Sequence, residues 1–464
     1  MIVTPAALPL VWRNVRATRT WRPRDMVNWH RMVRSVRGLP AAEPAVDFFR
    51  LVVELCSTFE VDYLPQPPPG PAPALPPTPS GHRVALFVDA PDHLSGVATT
   101  LRQWSEQADA QGRSLRLFHS GHTDLFSNGV RFAPMGTLRL GAYEGLQVHM
   151  PVVADVLRRA AEARPDAIHV STPGPMGLLG LLVARQLGLP LYGTYHTDFP
   201  SYAARLSGRS DVEAPAWGYM RWFYGQLDRV AAPSASTCTR LAEHGLDARR
   251  LHVVGRGIRT DRFSPARRDA TLRGQWGAGI THWLLYTGRL SREKNLQVLA
   301  DAFARLHDRR PEVGLVLVGD GPYRAELEQR LAGRPVHFAG VQRGDELARI
   351  YASADLFVFP SETDTLGVVL LEAQASGLPV LVSRHGGPKD VMVNGRTGWV
   401  VDPMQPAELA AAIEAACNDP ISFHRMREAA RAFASDHTPE QSFAAFWQVN
   451  APPVSSPHPE ATAR

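Results

Sequence analysis

The chain is poor in cysteine and in uninterrupted apolar runs, and each shortage removes a class of protein. Cysteine occurs three times in 464 residues, at Cys56, Cys238 and Cys417, far apart and without metal-ligand spacing. That argues against a disulfide framework and fits a reducing compartment. The most apolar stretch, residues 174–193 (GPMGLLGLLVARQLGLPLYG), carries Arg185 and Gln186 near its middle. It reads as a core helix of a water-soluble fold rather than a membrane span. The opening MIVTPAALPLVW lacks a basic leader, so no secretory signal is expected. The expected location is the cytoplasm, with the cytosolic membrane face as the alternative. Lysine is scarce too: arginine supplies most of the positive charge.

What remains is the make-up of a globular protein. At roughly 150 residues per domain, the length suggests two or three domains. The hydrophobic fraction of 44% is enough for large cores. A net charge of +5 and a pI near 9.3 suit phosphorylated ligands, anionic membranes or nucleic acid without choosing among them.

Proline marks the clearest boundary. Residues 65–81 (PQPPPGPAPALPPTPSG) form an extended linker, separating an N-terminal accessory segment (1–64) from the rest. Beyond it, short apolar runs such as HRVALFVDA, DAIHVST, HWLLYTGR and LFVFPS alternate with segments of helical periodicity. That alternation predicts parallel sheets covered on both faces. About 360 residues of it exceed one doubly wound sheet, and FSPARRDATLRGQWGAG interrupts the strands near 265–280. The expected architecture is α/β: two Rossmann-like domains, 82–270 and 271–450, facing across a cleft, with a disordered tail at 451–464.

The informative residues follow strands. In YTGRLSREKNL (286–296), Gly288 allows a tight turn, and Arg289 and Lys294 bracket a helix start. Two cations beside a helix N-terminus can hold a diphosphate, although two surface cations would look the same. In FPSETDTLGVVLLEAQASGLPV (359–380), the N–H groups of Leu366, Gly367 and Val368 open a helix and can hold phosphate oxygens. Gly367 lets a ligand approach the backbone. Asp364 and Glu372 can grip vicinal hydroxyls, as on a ribose or hexose; a structural cap or pair is the other reading of Glu372.

These stretches, with LVLVGDGPYRAELE, HFAGVQRGDELARIYASADLFVFPS and NGRTGWVVDP, resemble the nucleotide-binding half of retaining GT-B glycosyltransferases of the GT4 group. HVSTPGPMGLLGLLVARQLGLPLYGTYHTDFPSY and GRGIRTDRFSP look like the acceptor-side half, closest to mannosyl- and glycolipid-transferring members. The resemblance spans about 82–445. It implies that Arg289 and Lys294 bind the donor diphosphate, that Glu372 holds the ribose, and that Asp364 faces the donor sugar. Asp364 stands where the family's E-x7-E pattern has glutamate. The resemblance also brings Gly96, in VDAPDHLSGVATTL, near the donor phosphate. It turns His196 toward the donor sugar with Asp198 beside it, and it adds Tyr202 and Arg256 as weaker candidates. His122 reads as structural.

The implied reaction moves a hexose with retention to a lipid or glycan hydroxyl, from GDP-mannose first and a UDP-hexose next. With no D-x-D pair in view, no metal and no other cofactor is expected. A GT-B phosphorylase or epimerase and a catalytically idle sugar-nucleotide-binding module are the competing readings. Residues 12–37 set Trp12, Trp21 and Trp29 among arginines, which suits an anionic bilayer surface. A small packed accessory domain explains them equally, and no nucleic-acid-binding module is recognised.

Overall fold

Each of the runs HRVALFVDA, DAIHVST, HWLLYTGR and LFVFPS contains a strand, and those strands belong to two parallel sheets. The computed structural model describes residues 61–65, 75, 79–89, 96–140, 147–207, 209–402 and 404–452. Cys56, residues 12–37, most of the proline-rich linker and most of the tail lie outside the described residues.

The first sheet has seven parallel strands, in spatial order Leu251–Val253, Arg229–Ala232, Leu191–Thr194, Ala167–Val170, Arg83–Asp89, Ser114–Ser120 and Gly129–Phe132. The second has six, in the order Val336–Gly340, Val313–Val318, His282–Thr287, Leu356–Phe359, Val380–Ser383 and Gly398–Val401. In each, the chain winds outward from one central strand, then crosses back to that strand's other side. The order reverses between Arg83–Asp89 and Ala167–Val170 in the first sheet, and between His282–Thr287 and Leu356–Phe359 in the second. Ligands of such sheets bind at these switch points, beyond the carboxyl ends of the strands.

Both sheets are covered on both faces, which is why their strands are apolar almost throughout. Along Arg83–Asp89, Ala85 and Phe87 enter one core while Val84, Leu86 and Val88 enter the other. A small antiparallel sheet of Val61–Pro65, Gly136–Leu140 and Gln147–Met150 accompanies the first unit. Residues 174–193 form the helix Pro175–Leu187 and the strand Leu191–Thr194. Among the described residues, no helix is long and apolar enough to cross a membrane.

The structure departs from the expected boundary at its far end. The helix Pro439–Asn450, assigned by sequence to the second domain, packs on the first. Its Phe443, Phe446 and Val449 share a core with Trp104 and Leu101, and Asn450 Oδ1 meets His169 Nδ1 at 2.9 Å. Apolar periodicity shows that a helix is covered but not which sheet covers it. The chain therefore crosses between units twice, and the crossings touch. The Ile258 N–H donates to the His437 carbonyl at 2.8 Å, and a Cβ on Gly257 would stand 2.4 Å from Pro439 Cα.

Candidate active site

The loop after Leu356–Phe359 meets the first unit directly. Thr365 Oγ1 donates to the His196 carbonyl at 2.6 Å, and its own carbonyl accepts from Ser234 Oγ and Thr237 Oγ1, each at 3.1 Å. Nearby, Asp390 accepts from the Ser236 N–H at 2.6 Å and from its hydroxyl at 2.8 Å. The predicted Leu366 is buried, and Gly367 adopts φ 85°, a left-handed turn that glycine takes without strain, at the N-cap of the helix Val368–Ala375. No side chain caps that helix; the Leu370 N–H donates to the Gly367 carbonyl at 3.0 Å, and the N–H groups before it are those that an α-helix leaves without an internal acceptor. Facing it, Gly96 opens the helix Gly96–Ala110, and a Cβ there would lie 3.7 Å from Val368 Cγ2.

Gly288 follows the central strand of the second sheet, its N–H donating to Val318 at 2.9 Å. The half-buried Arg289 follows, its carbonyl accepting from Tyr286 Oη at 3.1 Å. Lys294 closes the short 3-10 turn Arg292–Lys294. Its ammonium donates to both Asp364 oxygens at 2.9 Å and, across the cleft, to Tyr202 Oη at 2.7 Å. Burial alone would lower its pKa; Asp364, then Tyr202, outweigh that and keep the ammonium charged well above its ordinary range. Sequence had proposed these three residues separately, and the fold makes them one cluster.

Glu372 lies one turn and a half along its helix and accepts from Tyr351 Oη at 2.8 Å. Burial pushes its carboxyl up to about 7, against the pull of the Tyr351 hydrogen bond and the Arg262 charge.

The acceptor-side candidates are turned inward. Arg256 Nη2 lies 2.8 Å from His196 Nδ1, and Ser171 Oγ lies 3.0 Å from His196 Nε2. A guanidinium only donates, so His196 Nδ1 accepts and the proton sits on Nε2, directed at Ser171. Burial, followed by the charge of Arg256, holds this imidazole neutral, well below its usual pKa. His196 was expected to present its ring to the donor sugar; here both ring nitrogens are committed. Asp198 accepts from Tyr195 Oη at 3.2 Å and pairs with Arg240 at 3.1 Å. Arg256 is 6% exposed, stacks 5.5 Å from the Trp104 ring, and is lowered by burial to about 10. His122 sits edge-on to His149 at 5.1 Å.

Sequence reasoning did not single out Asp89, Ser171, Thr365, Tyr351 or Asp390. Thr365 lies inside a quoted motif, yet a threonine in a turn carries no signal of what it docks on. Asp89 ends the central strand of the first sheet, accepting from the Met176 N–H at 2.9 Å and Thr172 Oγ1 at 2.6 Å. It thereby fills the N-terminus of the helix Pro175–Leu187. Among the described residues, no group of three or more His, Cys, Asp or Glu is placed to hold a metal ion.

Two facing Rossmann units with a cationic, uncapped helix terminus between them define a GT-B protein. Residues 94–262 match the family model described as Glycosyltransferase Family 4, and residues 279–433 the one described as Glycosyl transferases group 1. The chain is 31% identical over 342 residues to a GDP-mannose-dependent alpha-mannosyltransferase of Corynebacterium glutamicum, covering 72% of this chain and 80% of that protein. It is also 31% identical over 331 residues to the sulfoquinovosyl transferase of Arabidopsis thaliana. That match covers 69% of this chain but 64% of the relative, so the chain spans just under two thirds of that relative's length. The solved structure of Anabaena HepE with UDP-glucose shares the fold, with a TM-score of 0.63 at 21% identity over 79% of this chain and 100% of that one. The chain belongs to the group 1 and family 4 glycosyltransferases.

Proposed function

We propose that the protein is a retaining α-hexosyltransferase that moves a sugar from a nucleoside diphosphate to a lipid or glycan hydroxyl, with GDP-mannose as first donor and a UDP-hexose as second. The observation that carries the reading is the second switch point, where Arg289, Lys294 and the uncapped helix N-terminus after Gly367 lie on one side of the cleft. Fixed cations and unpaired N–H groups stabilise the charge that grows on the departing diphosphate. Glu372 holds the ribose, and Asp364 the hexose. The acceptor hydroxyl attacks the anomeric carbon from the leaving-group face as the bond to phosphate breaks. The departing phosphate oxygen takes the hydroxyl proton, so no covalent enzyme intermediate forms. Mannose as the sugar follows the Corynebacterium relative's name. The acceptor class follows from the family resemblance.

The test incubates the chain with GDP-mannose, UDP-glucose, UDP-galactose and ADP-glucose separately, in EDTA, with and without bacterial lipid extract. Nucleoside diphosphate release from one donor, raised by lipid and lost in Arg289→Ala and Glu372→Ala, is the expected result. Release unaffected by lipid moves the acceptor to a soluble glycan. Loss of release in EDTA that added Mg2+ restores overturns the metal-free mechanism. Absence of release from every donor by folded protein overturns the transferase reading in favour of a binding module.

A further inference from the structure

The Lys294 cluster holds more than a diphosphate site requires. An ammonium has three N–H donors, and here Nζ lies 2.7 Å from Tyr202 Oη and 2.9 Å from each oxygen of Asp364, so the carboxylate grips it through both oxygens. The Asp364 carboxylate already neutralises the ammonium, so a second anion that binds Lys294 closely meets the charge of Asp364. The Lys294 and Asp364 side chains are only 12% and 21% exposed. At that shielding, either charge left unpaired is costly.

We infer that Asp364 is a placeholder for the donor's anion on Lys294, and that Tyr202 is the positioning residue that keeps the ammonium in place while the two anions exchange. The inference rests on the nucleotide-sugar reading above and gives it an order of events. A diphosphate and a carboxylate on one ammonium repel each other, whereas a neutral phenol repels neither. The incoming phosphate therefore takes over from Asp364, and Tyr202 stays. No covalent bond changes in the exchange; the phosphate takes the ammonium, and the carboxylate stays ionised beside it. The carboxylate it releases lies beside the site and becomes free to accept from a hexose hydroxyl. Seating the diphosphate and arming the sugar contact are thus one step.

Two further features fit this assignment. Lys294 is one of only two lysines in the chain, the other being Lys389, while arginine serves nearly everywhere else. A compact ammonium can trade one acceptor for another, which the rigid fork of a guanidinium cannot do as freely. Tyr202 also comes from the first unit, on the helix Phe199–Ser207, while Lys294 and Asp364 come from the second. Its hydroxyl therefore reaches the ammonium only when the two units are together.

The experiment measures binding of pyrophosphate, UDP and GDP to the full chain by calorimetry. Asp364→Asn removes the competing anion and should bind pyrophosphate about five- to tenfold more tightly than the parent chain while losing turnover. Tyr202→Phe keeps the ring and should weaken pyrophosphate about threefold to tenfold and lower kcat; in a Lys294→Gln background the same change should add nothing. Thermal melts of each variant exclude unfolding as the cause. Equal or weaker pyrophosphate binding by Asp364→Asn overturns the placeholder. A Tyr202→Phe effect of the same size without Lys294 overturns the positioning role. Pyrophosphate needs neither sugar nor acceptor, so a chain that shows these shifts but turns over no donor overturns the transferase reading and leaves this one standing.

Discussion

The two Rossmann units share a strand order and differ in what fills their switch points. In the first, the central strand ends in Asp89, whose carboxylate occupies the N-terminus of the helix Pro175–Leu187 through the Met176 N–H and Thr172. In the second, the central strand ends at Thr287 and is followed by Gly288 and Arg289, and the helix that starts after Gly367 has no side-chain cap. One unit sets its own acid on the helix N-terminus, and the other sets its acid, Asp364, on the Lys294 ammonium and leaves the helix N-terminus without a side-chain cap. Common topology thus does not fix what stands at a switch point. The same division runs through the candidates. The side chains of His196, Asp198 and Arg256 are tied to neighbours in their own unit, whereas Lys294 is held by Asp364 of its own unit and by Tyr202 of the other.

If the comparison is right, the largest effect belongs to Lys294. Lys294→Gln should lower kcat/KM by roughly 100- to 1000-fold, as the loss of a transition-state charge partner does, and should lower the melting temperature as well, because it leaves the shielded Asp364 carboxylate unpaired. A loss in stability with turnover intact would reverse the assignment of roles.

Glu372 should show activity and stability pulling apart. Its carboxyl lies near 7 against an ordinary value of 4.5 because burial disfavours the charge. A raised folded-state pKa means that its contribution to stability is complete below the ordinary value and is lost as pH rises through about 7. Glu372→Gln should therefore melt higher than the parent chain at pH 8 and not at pH 4, while donor KM rises about tenfold through the lost charged acceptor. The parent's kcat/KM should fall as pH drops through the same region, because ribose hydroxyls need the carboxylate. That acid limb should be missing in the variant.

On the first unit the balance inverts. Asp89→Ala strips a half-buried cap and should cost about 2 kcal/mol of stability by denaturant unfolding, with donor KM within about twofold of the parent once the protein is folded. The smallest effect is expected where the units touch without charged ligand contacts. Ser236→Ala loses the hydroxyl bond to Asp390 but keeps the N–H bond. It should shift stability by no more than about 1 kcal/mol, as one hydrogen bond does. A tenfold change in donor KM there would show that this contact takes part in binding.

Much of the second unit's site was legible because its residues lie close together in sequence. Arg289 and Lys294 follow one strand, and Asp364, Gly367 and Glu372 surround one helix start. The inward turn of His196 was not legible, because it depends on Ser171 and Arg256, which are 25 and 60 residues away. Nor was the contrast between Asp89 and Arg289, since an acid after a strand reads alike whether it meets a ligand or caps its own neighbour.

By itself the sequence determined the alternation of strand and helix, the presence of two parallel sheets and the cations of the second switch point. Those features follow from local periodicity and from residue types that act within a turn or two. Tertiary structure alone decided that the helix Pro439–Asn450 returns to the first unit, that Asp89 shuts one switch point, and that Tyr202 meets Lys294 across 92 residues of chain. Such pairings are set by how whole sheets and helices pack and by which buried charges must find partners, and neither is written in any short stretch of sequence.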